Sequence, residues 1–226
     1  MENLNLKELY KLQDKVLDAI FSHETEFYLT GGTCLNRFHY QGRHSEDLDF
    51  FTNFSHTFHY SVREIEAELT QNNYKISKEV DTKDFVRLSV NDFLQLDFVN
   101  DRIKKFGKIE SKNKIKLDNF KNILSNKITA VLSRDSSKDI FDILLICQKE
   151  RFDWKEIIKQ AKGKMVFEKD DLIFRLDNFP PALFANLYIS DNRIVENFNK
   201  KMEIITADIF NESKNNLAMV DNQNMN

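Results

Sequence analysis

The spacing of apolar residues predicts an alternating α/β arrangement in the first half of the chain. Residues 5–21 carry apolar side chains every three or four positions, which predicts an amphipathic helix. A second helix is predicted over residues 58–72. Around these helices lie short runs rich in aromatic and β-branched residues, which predict strands at 27–30, 47–52, 74–80, 85–90 and 93–99, with a further short candidate at 114–117.

The second half of the chain shows helical spacing only. Helices are predicted over residues 119–133, 136–149, 153–162 and 192–212. The Asn-rich residues 215–226 are expected to fray. The fold class is therefore predicted to be α+β, with an α/β part over residues 1–118 and a helical C-terminal region over residues 119–226.

Glycine and asparagine mark the predicted turns. Gly31 and Gly32 end a short strand, and Thr33 is placed to cap the helix that follows. Asn91 and Asp92 lie between two β-prone runs and predict a tight hairpin there.

The composition is that of an ordered globular protein. Apolar residues make up 41% of the 226 residues and charged residues 31%, while Gly (5) and Pro (2) are scarce, which favours long regular elements.

The net charge of −3 excludes a general electrostatic attraction to nucleic acid. Locally, residues 41–100 carry a net charge of −5 and residues 101–127 a net charge of +6. This contrast fits either a metal site beside an anion site or two solvated surfaces.

Cysteine usage and hydropathy predict a cytoplasmic protein. Cys34 and Cys147 are not part of a Cys-x-x-Cys pattern, so they are expected to be reduced thiols. The N-terminal sequence lacks the apolar segment of a signal peptide, and no apolar run reaches the roughly 18 residues that a membrane span requires. No membrane partner is therefore expected.

Gly31, Gly32 and Thr33 form the first candidate site, between a predicted strand and a predicted helix. Because glycine has no Cβ atom, the backbone can approach a ligand closely at this turn. The beginning of the helix offers N–H groups and the positive end of its dipole to a phosphate, and Thr33 adds a hydroxyl. The alternative is that the turn needs glycine for steric reasons alone.

Two acidic residues, Asp47 and Asp49, begin a predicted strand. Residues two apart on a strand point to the same face, so the carboxylates are expected to lie side by side while Leu48 and Phe50 face the core. A divalent cation would relieve their mutual repulsion, and oxygen ligands suit magnesium. The alternative is a solvated strand edge.

Asp97 is the third acid of interest, because it lies within an apolar run. Apolar residues on both sides predict a buried central strand, in which a lone carboxylate is costly unless it is paired or binds a metal. If this strand lies beside the strand of the first two acids, the three form a triad that could hold two metal ions. The alternative is an ion pair with Lys104 or Lys105.

Basic residues on both sides of these acids are candidate phosphate ligands. Arg43 and Ser45 lie just before the first acid pair, and the planar guanidinium of Arg43 suits a phosphate. In the helical region, Lys127 and Arg134 are seven residues apart and share one face of a predicted helix.

Two aspartates of the next predicted helix accompany these cations. Asp139 and Asp142 are three residues apart and share a face. In a functional interpretation, Lys127 or Arg134 neutralises phosphate, and the two aspartates hold those cations in position. The alternative is an ordinary surface helix with charges on its solvated face.

Together, these residues resemble the AbiEii/AbiGii toxin family of minimal nucleotidyltransferases, within the DNA polymerase β-like superfamily. The resemblance covers about residues 27–145. It rests on the segments LTGGTCL (29–35), RHSEDLDFF (43–51) and LDF (96–98), and on the lysine, arginine and KDIFD pattern between residues 127 and 142. It implies a mixed β-sheet flanked by helices, followed by a helical C-terminal region.

The resemblance also implies roles for individual residues. The Gly-Gly-Thr turn contacts a triphosphate, Lys127 lies near the nucleotide, and Asp139 corresponds to an aspartate that has been proposed as catalytic. By position, the metal-binding acids are Asp47, Asp49 and Asp97. The chain departs from the family pattern at Cys34, where alanine is usual, and its helical region is short. The short helical region leaves the acceptor open but does not affect the predicted metal site.

The function implied is transfer of a nucleoside monophosphate from a nucleoside triphosphate to an acceptor hydroxyl, with Mg²⁺ or Mn²⁺ as cofactor. Family members are toxins paired with a separate antitoxin, and some extend tRNA 3′ ends, so the expected partners are an RNA, tRNA or protein acceptor and a cognate antitoxin. The expected catalytic residues are Asp47, Asp49, Asp97 and Asp139. The expected nucleotide-binding residues are Gly31, Gly32, Thr33, Arg43, Ser45, Lys127 and Arg134.

Two alternative functions are compatible with the same residues. One is a small-molecule adenylyltransferase that resembles antibiotic-modifying enzymes, since it would share the arrangement of glycine and paired acids. The other is a nucleotide-binding or partner-binding module without catalytic activity.

Overall fold

The computed structural model describes residues 6–218, which form two compact units. The first unit contains residues 6–34 and 45–119, and the second contains residues 35–44 and 120–218. The main difference from the sequence-based division is the short segment 35–44, which makes its contacts within the helical unit.

The first unit is built on a seven-stranded sheet. Its strands are β1 (Tyr28–Thr30), β2 (Leu48–Asn53), β3 (Ile76–Thr82), β4 (Phe85–Val90), β5 (Leu94–Asp101), β6 (Glu110–Lys112) and β7 (Ile115–Leu117). Their order across the sheet is β3-β4-β5-β2-β1-β7-β6. β2 is parallel to β5 and β1 is parallel to β7, while the other neighbours are antiparallel. The α+β class and the mixed sheet are therefore confirmed.

One face of this sheet carries the apolar core of the unit. Three helices accompany the strands, α1 (Leu6–Ile20), α2 (Gly31–Thr33) and α3 (Phe58–Gln71), and α1 contacts both β5 and α3. Phe50 of β2 and Phe98 of β5 stack with ring centroids 5.1 Å apart. Phe27 packs edge-on against both Phe98 and Phe58 of α3. Burial of these rings fixes which face of β2 and β5 is turned inward, because side chains alternate along a strand.

The hairpin predicted at Asn91 and Asp92 is confirmed. Both residues have positive φ, 54° and 53°, which short-side-chain polar residues tolerate better than most. β4 ends at Val90 and β5 begins at Leu94, so three residues form the turn. The resulting register places Val90 opposite Leu94.

The prediction that Thr33 caps a helix is wrong. The helix begins at Gly31, with Thr30 at the capping position, and it continues as a π-helical segment, Cys34–His39. The hydroxyl of Thr33 instead donates to the backbone carbonyl of Asp47. A hydroxyl inside a helical turn can bond to a neighbouring strand, and here that bond joins the glycine turn to the acidic segment.

The second unit is helical. It contains α4 (Phe120–Ser133), α5 (Ser137–Lys149), α6 (Trp154–Lys164), α7 (Lys169–Asp177) and α8 (Phe198–Asn211), with short 3₁₀ segments at Pro181–Asn186 and Asn192–Ile194. α4 contacts α5, α6 and α7, and α8 contacts α5, α6 and α7. The three helices predicted between residues 119 and 162 are confirmed.

Two features of the helical unit differ from the sequence-based prediction. α7 was not predicted, because its charged sequence buries only Leu172 and Leu176 on one side. α8 begins at Phe198 rather than at residue 192, since Asn197 adopts a left-handed conformation with φ 53° and breaks the helix.

The end of the described chain is packed rather than frayed. The side chain of Asn215 is buried and donates to the carbonyls of Cys147, at 2.7 Å, and Glu150, at 2.6 Å. The fraying prediction is therefore wrong for residues 215–218, and residues 219–226 lie outside the described range. Across residues 6–218, every helix is too short or too polar to cross a membrane.

Candidate active site

A row of polar side chains crosses four neighbouring strands of the first unit. Thr30 of β1 lies opposite Asp49 of β2, Asp49 lies opposite Asp97 of β5, and Asp97 lies opposite Arg87 of β4. Residues directly opposite each other on neighbouring strands share a face of the sheet. The strand of Asp97 therefore does lie beside the strand of Asp49, which was the condition for a triad of acids.

The alternation predicted around the first two acids is present. Leu48 and Phe50 are fully buried, while Asp47 and Asp49 are of intermediate exposure. Two carboxylates are thus held two residues apart, with the intervening side chain anchored in the core. Asp49 lies within β2, and Asp47 is the residue directly before it.

Gly31 lies directly against the carboxylate of Asp49. A Cβ atom at Gly31 would come within 2.1 Å of Oδ2 and 2.9 Å of Cγ of Asp49. Gly31 also has φ +67°, a conformation that residues with a side chain rarely adopt. Both observations require glycine here and bring the glycine turn and the acid pair into contact.

We expect Gly31→Ala to destabilise the protein by about 1–3 kcal/mol, because a residue with a Cβ is strained at this φ. It should also displace the carboxylate of Asp49 and lower any activity that depends on it. Urea unfolding, followed by circular dichroism, measures the first effect. Gly163→Ala is the matched control, since a Cβ there would meet no atom within 4 Å. An unchanged midpoint in Gly31→Ala would contradict the close contact described here.

The segment before the acids is anchored on α1 by a residue that sequence reasoning missed. Gln13 is buried and donates to the carbonyls of Ser45, at 3.1 Å, and Glu46, at 2.8 Å. The backbone N–H of Ser45 donates to the hydroxyl of Tyr10. The sequence does contain a signal for this role: Gln13 lies one turn after Leu9, on the apolar stripe of the helix, where a polar side chain is expected to be buried and hydrogen-bonded.

Asp97 is held by Arg87, a second residue that sequence reasoning missed. Arg87 donates from Nε to Oδ1 at 2.7 Å and from Nη2 to Oδ2 at 2.8 Å, and Gln95 donates to Oδ2 at 3.1 Å. The alternative of a pair with Lys104 or Lys105 is therefore wrong, and the ion-pair partner is an arginine on the neighbouring strand.

The charge of Asp47 also affects the pKa of Arg87. Its pKa lies above the ordinary value, chiefly because Asp97 accepts its hydrogen bonds, and the negative charge of Asp47 adds a smaller contribution. The charges of Asp97 and Asp47 therefore both act on Arg87.

The donor set of this face suits a hard divalent cation only in part. Carboxylate oxygens are the ligands that Mg²⁺ and Mn²⁺ prefer, and Asp47 and Asp49 supply them beside a turn without a side chain. Within residues 6–218, however, the arrangement brings no three His, Cys, Asp or Glu side chains together as a metal site. Both oxygens of Asp97 accept hydrogen bonds from Arg87. By the chemistry of their oxygen donors, Asp47 and Asp49 suit such a cation, whereas Asp97 is paired with Arg87.

A separate charged network lies within the helical unit and centres on Asp142. Arg43 donates to its two oxygens at 2.9 Å and 2.7 Å, and Lys127 lies 2.7 Å from Oδ2. Asn36 donates to Oδ1 at 2.9 Å, and its own carbonyl oxygen accepts the backbone N–H of Arg43. The segment 35–44 is thereby attached to α5 by a buried, bidentate ion pair.

Asp139 completes the network. Lys127 donates to Oδ1 at 2.7 Å, and Arg134 donates from Nε to Oδ2 at 2.8 Å. Asp139 and Asp142 are fully buried, Lys127 is nearly so, and the side chain of Arg134 is 64% exposed. The structure thus brings together all four charged residues that the helical region was predicted to contribute.

The buried charges of this network stabilise one another. Burial by itself would raise the pKa of Asp142, but Lys127 and Arg43 outweigh it, and the pKa lies below the ordinary value of 3.8. Burial would likewise raise the pKa of Asp139, but Lys127 and Arg134 lower it overall. Burial would lower the pKa of Lys127, but Asp142 and Asp139 raise it overall. All three groups are therefore charged at neutral pH.

The positions of these residues bear on their predicted roles. The guanidinium of Arg43 is buried and faces Asp142, so a phosphate could reach it only after that pair opens. Asp139 is surrounded by cations, which disfavours proton uptake. Arg134 has the most exposed side chain of the network and is the cation best placed to meet a phosphate from solvent. The roles of Arg43, Lys127, Arg134 and Asp139 stay predictions.

The cysteine at the glycine turn is a poor nucleophile. Burial raises the pKa of the Cys34 thiol well above its ordinary value, and the charge of Asp118 raises it further. Asp118 is itself buried and accepts a hydrogen bond from Thr30 at 2.6 Å. Cys34 therefore stays protonated and serves packing rather than covalent chemistry.

Comparisons with known proteins show the family and the fold of the chain. Residues 15–208 match the profile of a family described as nucleotidyl transferase AbiEii toxin, type IV toxin–antitoxin system. The uncharacterized protein aq_aa25 of Aquifex aeolicus (strain VF5) is 29% identical over 172 residues, which cover 70% of this chain and 77% of that protein.

Two solved structures share the fold. The crystal structure of JHP933 from Helicobacter pylori superposes with a TM-score of 0.57 at 18% identity, covering 92% of this chain and 95% of that one. A second H. pylori structure, of a candidate nucleotidyltransferase, has a TM-score of 0.59 at 18% identity, covering 92% and 98% of the two chains. At this identity, the likeness concerns the fold.

Proposed function

The chain belongs to the AbiEii family of nucleotidyl transferase toxins of type IV toxin–antitoxin systems, and on that basis we propose that it transfers a nucleoside monophosphate from a nucleoside triphosphate to an acceptor hydroxyl. Pyrophosphate is the other product. Mg²⁺ or Mn²⁺ is the proposed cofactor, and the acceptor is an RNA, such as a tRNA, or a protein.

The observation that carries this proposal is the position of Asp49. Its carboxylate touches the Gly31 turn on one side and lies in register with Asp97 on the other. A triphosphate at the glycine turn would therefore place its charged oxygens next to the carboxylates of Asp47 and Asp49, on the same face of the sheet as Asp97. Anionic oxygens and carboxylates can share a small volume only with a cation between them, which is the chemistry expected of a metal-dependent nucleotidyltransferase.

In the proposed mechanism, the chain positions its substrates and compensates charge. Asp47 and Asp49 hold the cation, which neutralises phosphate charge and lowers the pKa of an acceptor hydroxyl when bound. The backbone at Gly32 and Thr33 orients the phosphates, and Thr33 keeps this turn bonded to the Asp47 segment. Asp97 completes the site and, once Arg87 no longer holds both of its oxygens, helps to deprotonate the acceptor hydroxyl. Within the helical unit, Lys127 and Arg134 are the cations proposed to neutralise phosphate charge, with Asp139 and Asp142 holding them in position.

The experiment that tests this function supplies the purified protein with each α-labelled nucleoside triphosphate, Mg²⁺ and total tRNA or cellular protein. We expect label from one triphosphate to appear on one acceptor, with release of pyrophosphate, and EDTA to abolish the transfer. An aminoglycoside panel belongs in the same assay. Label on an aminoglycoside alone would favour the small-molecule adenylyltransferase. Metal-dependent binding of triphosphate without transfer to any acceptor would favour the non-catalytic module and would contradict the proposal.

The family also leads us to propose a cognate antitoxin. If the chain is a toxin, its expression alone should slow growth, and co-expression of a neighbouring gene should restore it. Restoration by a neighbouring gene would identify the partner.

A further inference from the structure

The ion pair between Arg87 and Asp97 is more exposed than the bidentate pair between Arg43 and Asp142. Arg43 and Asp142 have side chains that are 3% and 0% exposed, so that pair is closed to solvent. Arg87 and Asp97 have side chains that are 33% and 13% exposed. The geometry of the two pairs is alike, but only the second can exchange its partners with solutes.

Arg87 competes directly with any cation for Asp97. Its two hydrogen bonds occupy Oδ1 and Oδ2 of the carboxylate, and its positive charge would repel a divalent cation placed between Asp97 and Asp49. Asp49 is the in-register neighbour of Asp97, so the same cation is the one that Asp47 and Asp49 would hold. The positive charge of Arg87 therefore opposes the binding of a cation at Asp97.

Arg87 has a second contact, with the ring of Phe85, that it can keep when it leaves Asp97. Its guanidinium lies 5.5 Å from the ring centroid of Phe85, two residues away on β4, and a third of its side chain is exposed. An arginine that stacks on an aromatic ring can swing while it keeps that contact, because the guanidinium plane slides over the ring face.

We propose that Arg87 is a positioning residue that keeps Asp97 from the metal in the nucleotide-free chain. In that state, Asp47 and Asp49 alone hold the cation. Asp97 becomes the third ligand only after Arg87 moves. This inference rests on the proposed metal-dependent function. It predicts that the resting protein binds metal weakly, and that removal of the guanidinium strengthens binding through Asp97.

The test measures Mn²⁺ binding to the nucleotide-free, full-length protein by electron paramagnetic resonance of unbound Mn²⁺. We expect Arg87→Gln to bind Mn²⁺ about tenfold more tightly than the wild type, because it removes a positive charge beside the cation and releases a ligand. Arg87→Lys, which keeps the charge but loses the planar fork, should fall between the two. A merely structural role for Arg87 would move the thermal midpoint and leave the metal affinity unchanged.

A double variant separates release of Asp97 from a general effect of charge. Adding Asp97→Asn to Arg87→Gln should return Mn²⁺ affinity to the wild-type value or below. Arg102→Gln is the matched control, since it removes a guanidinium from an exposed pair with Asp84 on the same unit. Its Mn²⁺ affinity should equal that of the wild type. Unchanged or weaker binding by Arg87→Gln, or a gain that survives in the double variant, would overturn the inference.

The Mn²⁺ affinities of the Arg87 variants test the role of Arg87 separately from the nucleotidyl transfer assay, which tests the proposed function. If the wild type transfers no nucleotide and Arg87→Gln still binds Mn²⁺ more tightly, the proposed function fails while the role of Arg87 stands. If the wild type transfers nucleotide and the Arg87 variants bind Mn²⁺ equally, the role of Arg87 fails alone.

Discussion

Replacement of Asp49 by Asn is expected to lower nucleotidyl transfer by about 10³-fold or more while leaving the fold intact. The amide keeps the size of the carboxylate but removes the negative charge that would hold a cation against a triphosphate. The side chain is of intermediate exposure, and Leu48 and Phe50 carry the packing of this segment, so the core does not depend on the charge. Transfer of labelled nucleotide, measured together with circular dichroism spectra, tests both parts of this expectation.

The control for this variant is Asp92→Asn, which removes the same charge from an exposed hairpin turn of the same unit. Its transfer activity should match that of the wild type. Equal activity in Asp49→Asn and Asp92→Asn would show that the acid beside the glycine turn is not part of the reacting site.

The second large effect is expected at Asp142, in the helical unit. Asp142→Asn should lower the free energy of unfolding by about 3–5 kcal/mol, because it leaves buried Arg43 and Lys127 without one of their compensating charges. The shift would be read from urea unfolding curves at pH 7. Glu156→Gln is the control, since it breaks an exposed pair with Lys121 and should cost about 1 kcal/mol or less. Equal, small losses in both variants would show that the network does not stabilise the unit.

The same variant should change the response to acid. The pKa of Asp142 is lowered in the folded state, so its contribution to stability is fully present above the ordinary value of 3.8 and is lost as the pH falls below it. The wild type should therefore lose stability as the pH falls below about 4, and Asp142→Asn should lose less as the pH falls. A parallel decline in both proteins would contradict the lowered pKa.

Local patterns in the sequence identified the central features of the first unit. The alternation of acid and apolar residues from Asp47 to Phe50 indicated a strand with one wet face, and burial of Leu48 and Phe50 fixes that face. The apolar surroundings of Asp97 indicated a central strand, and β5 is indeed the third of seven. These predictions succeeded because they depend on residues adjacent in sequence.

The partner of Asp97 could not be found in this way, because it depends on register. A two-residue turn at Asn91 and Asp92 would place Arg87 and Asp97 on opposite faces of the sheet, whereas the three-residue turn that forms places them opposite each other. One residue in the turn therefore decides whether Asp97 has an arginine partner.

In the helical unit too, local sequence patterns could not show which charged residues are buried together. The spacing of Asp139 and Asp142 indicated a shared helix face, and spacing alone favoured neither a surface nor a core. Burial of that face depends on Lys127 from α4 and on Arg43 from a segment about 100 residues earlier in the chain. The contribution of Arg43 to the helical unit is a long-range contact that no local pattern records.

The most direct test of the proposed metal site is anomalous diffraction from crystals grown with Mn²⁺ and a non-hydrolysable nucleoside triphosphate. We predict a manganese peak bounded by the carboxylates of Asp47 and Asp49, with the triphosphate lying along the turn at Gly31 and Gly32. A manganese peak bound to other side chains, or a triphosphate held away from this turn, would contradict this prediction.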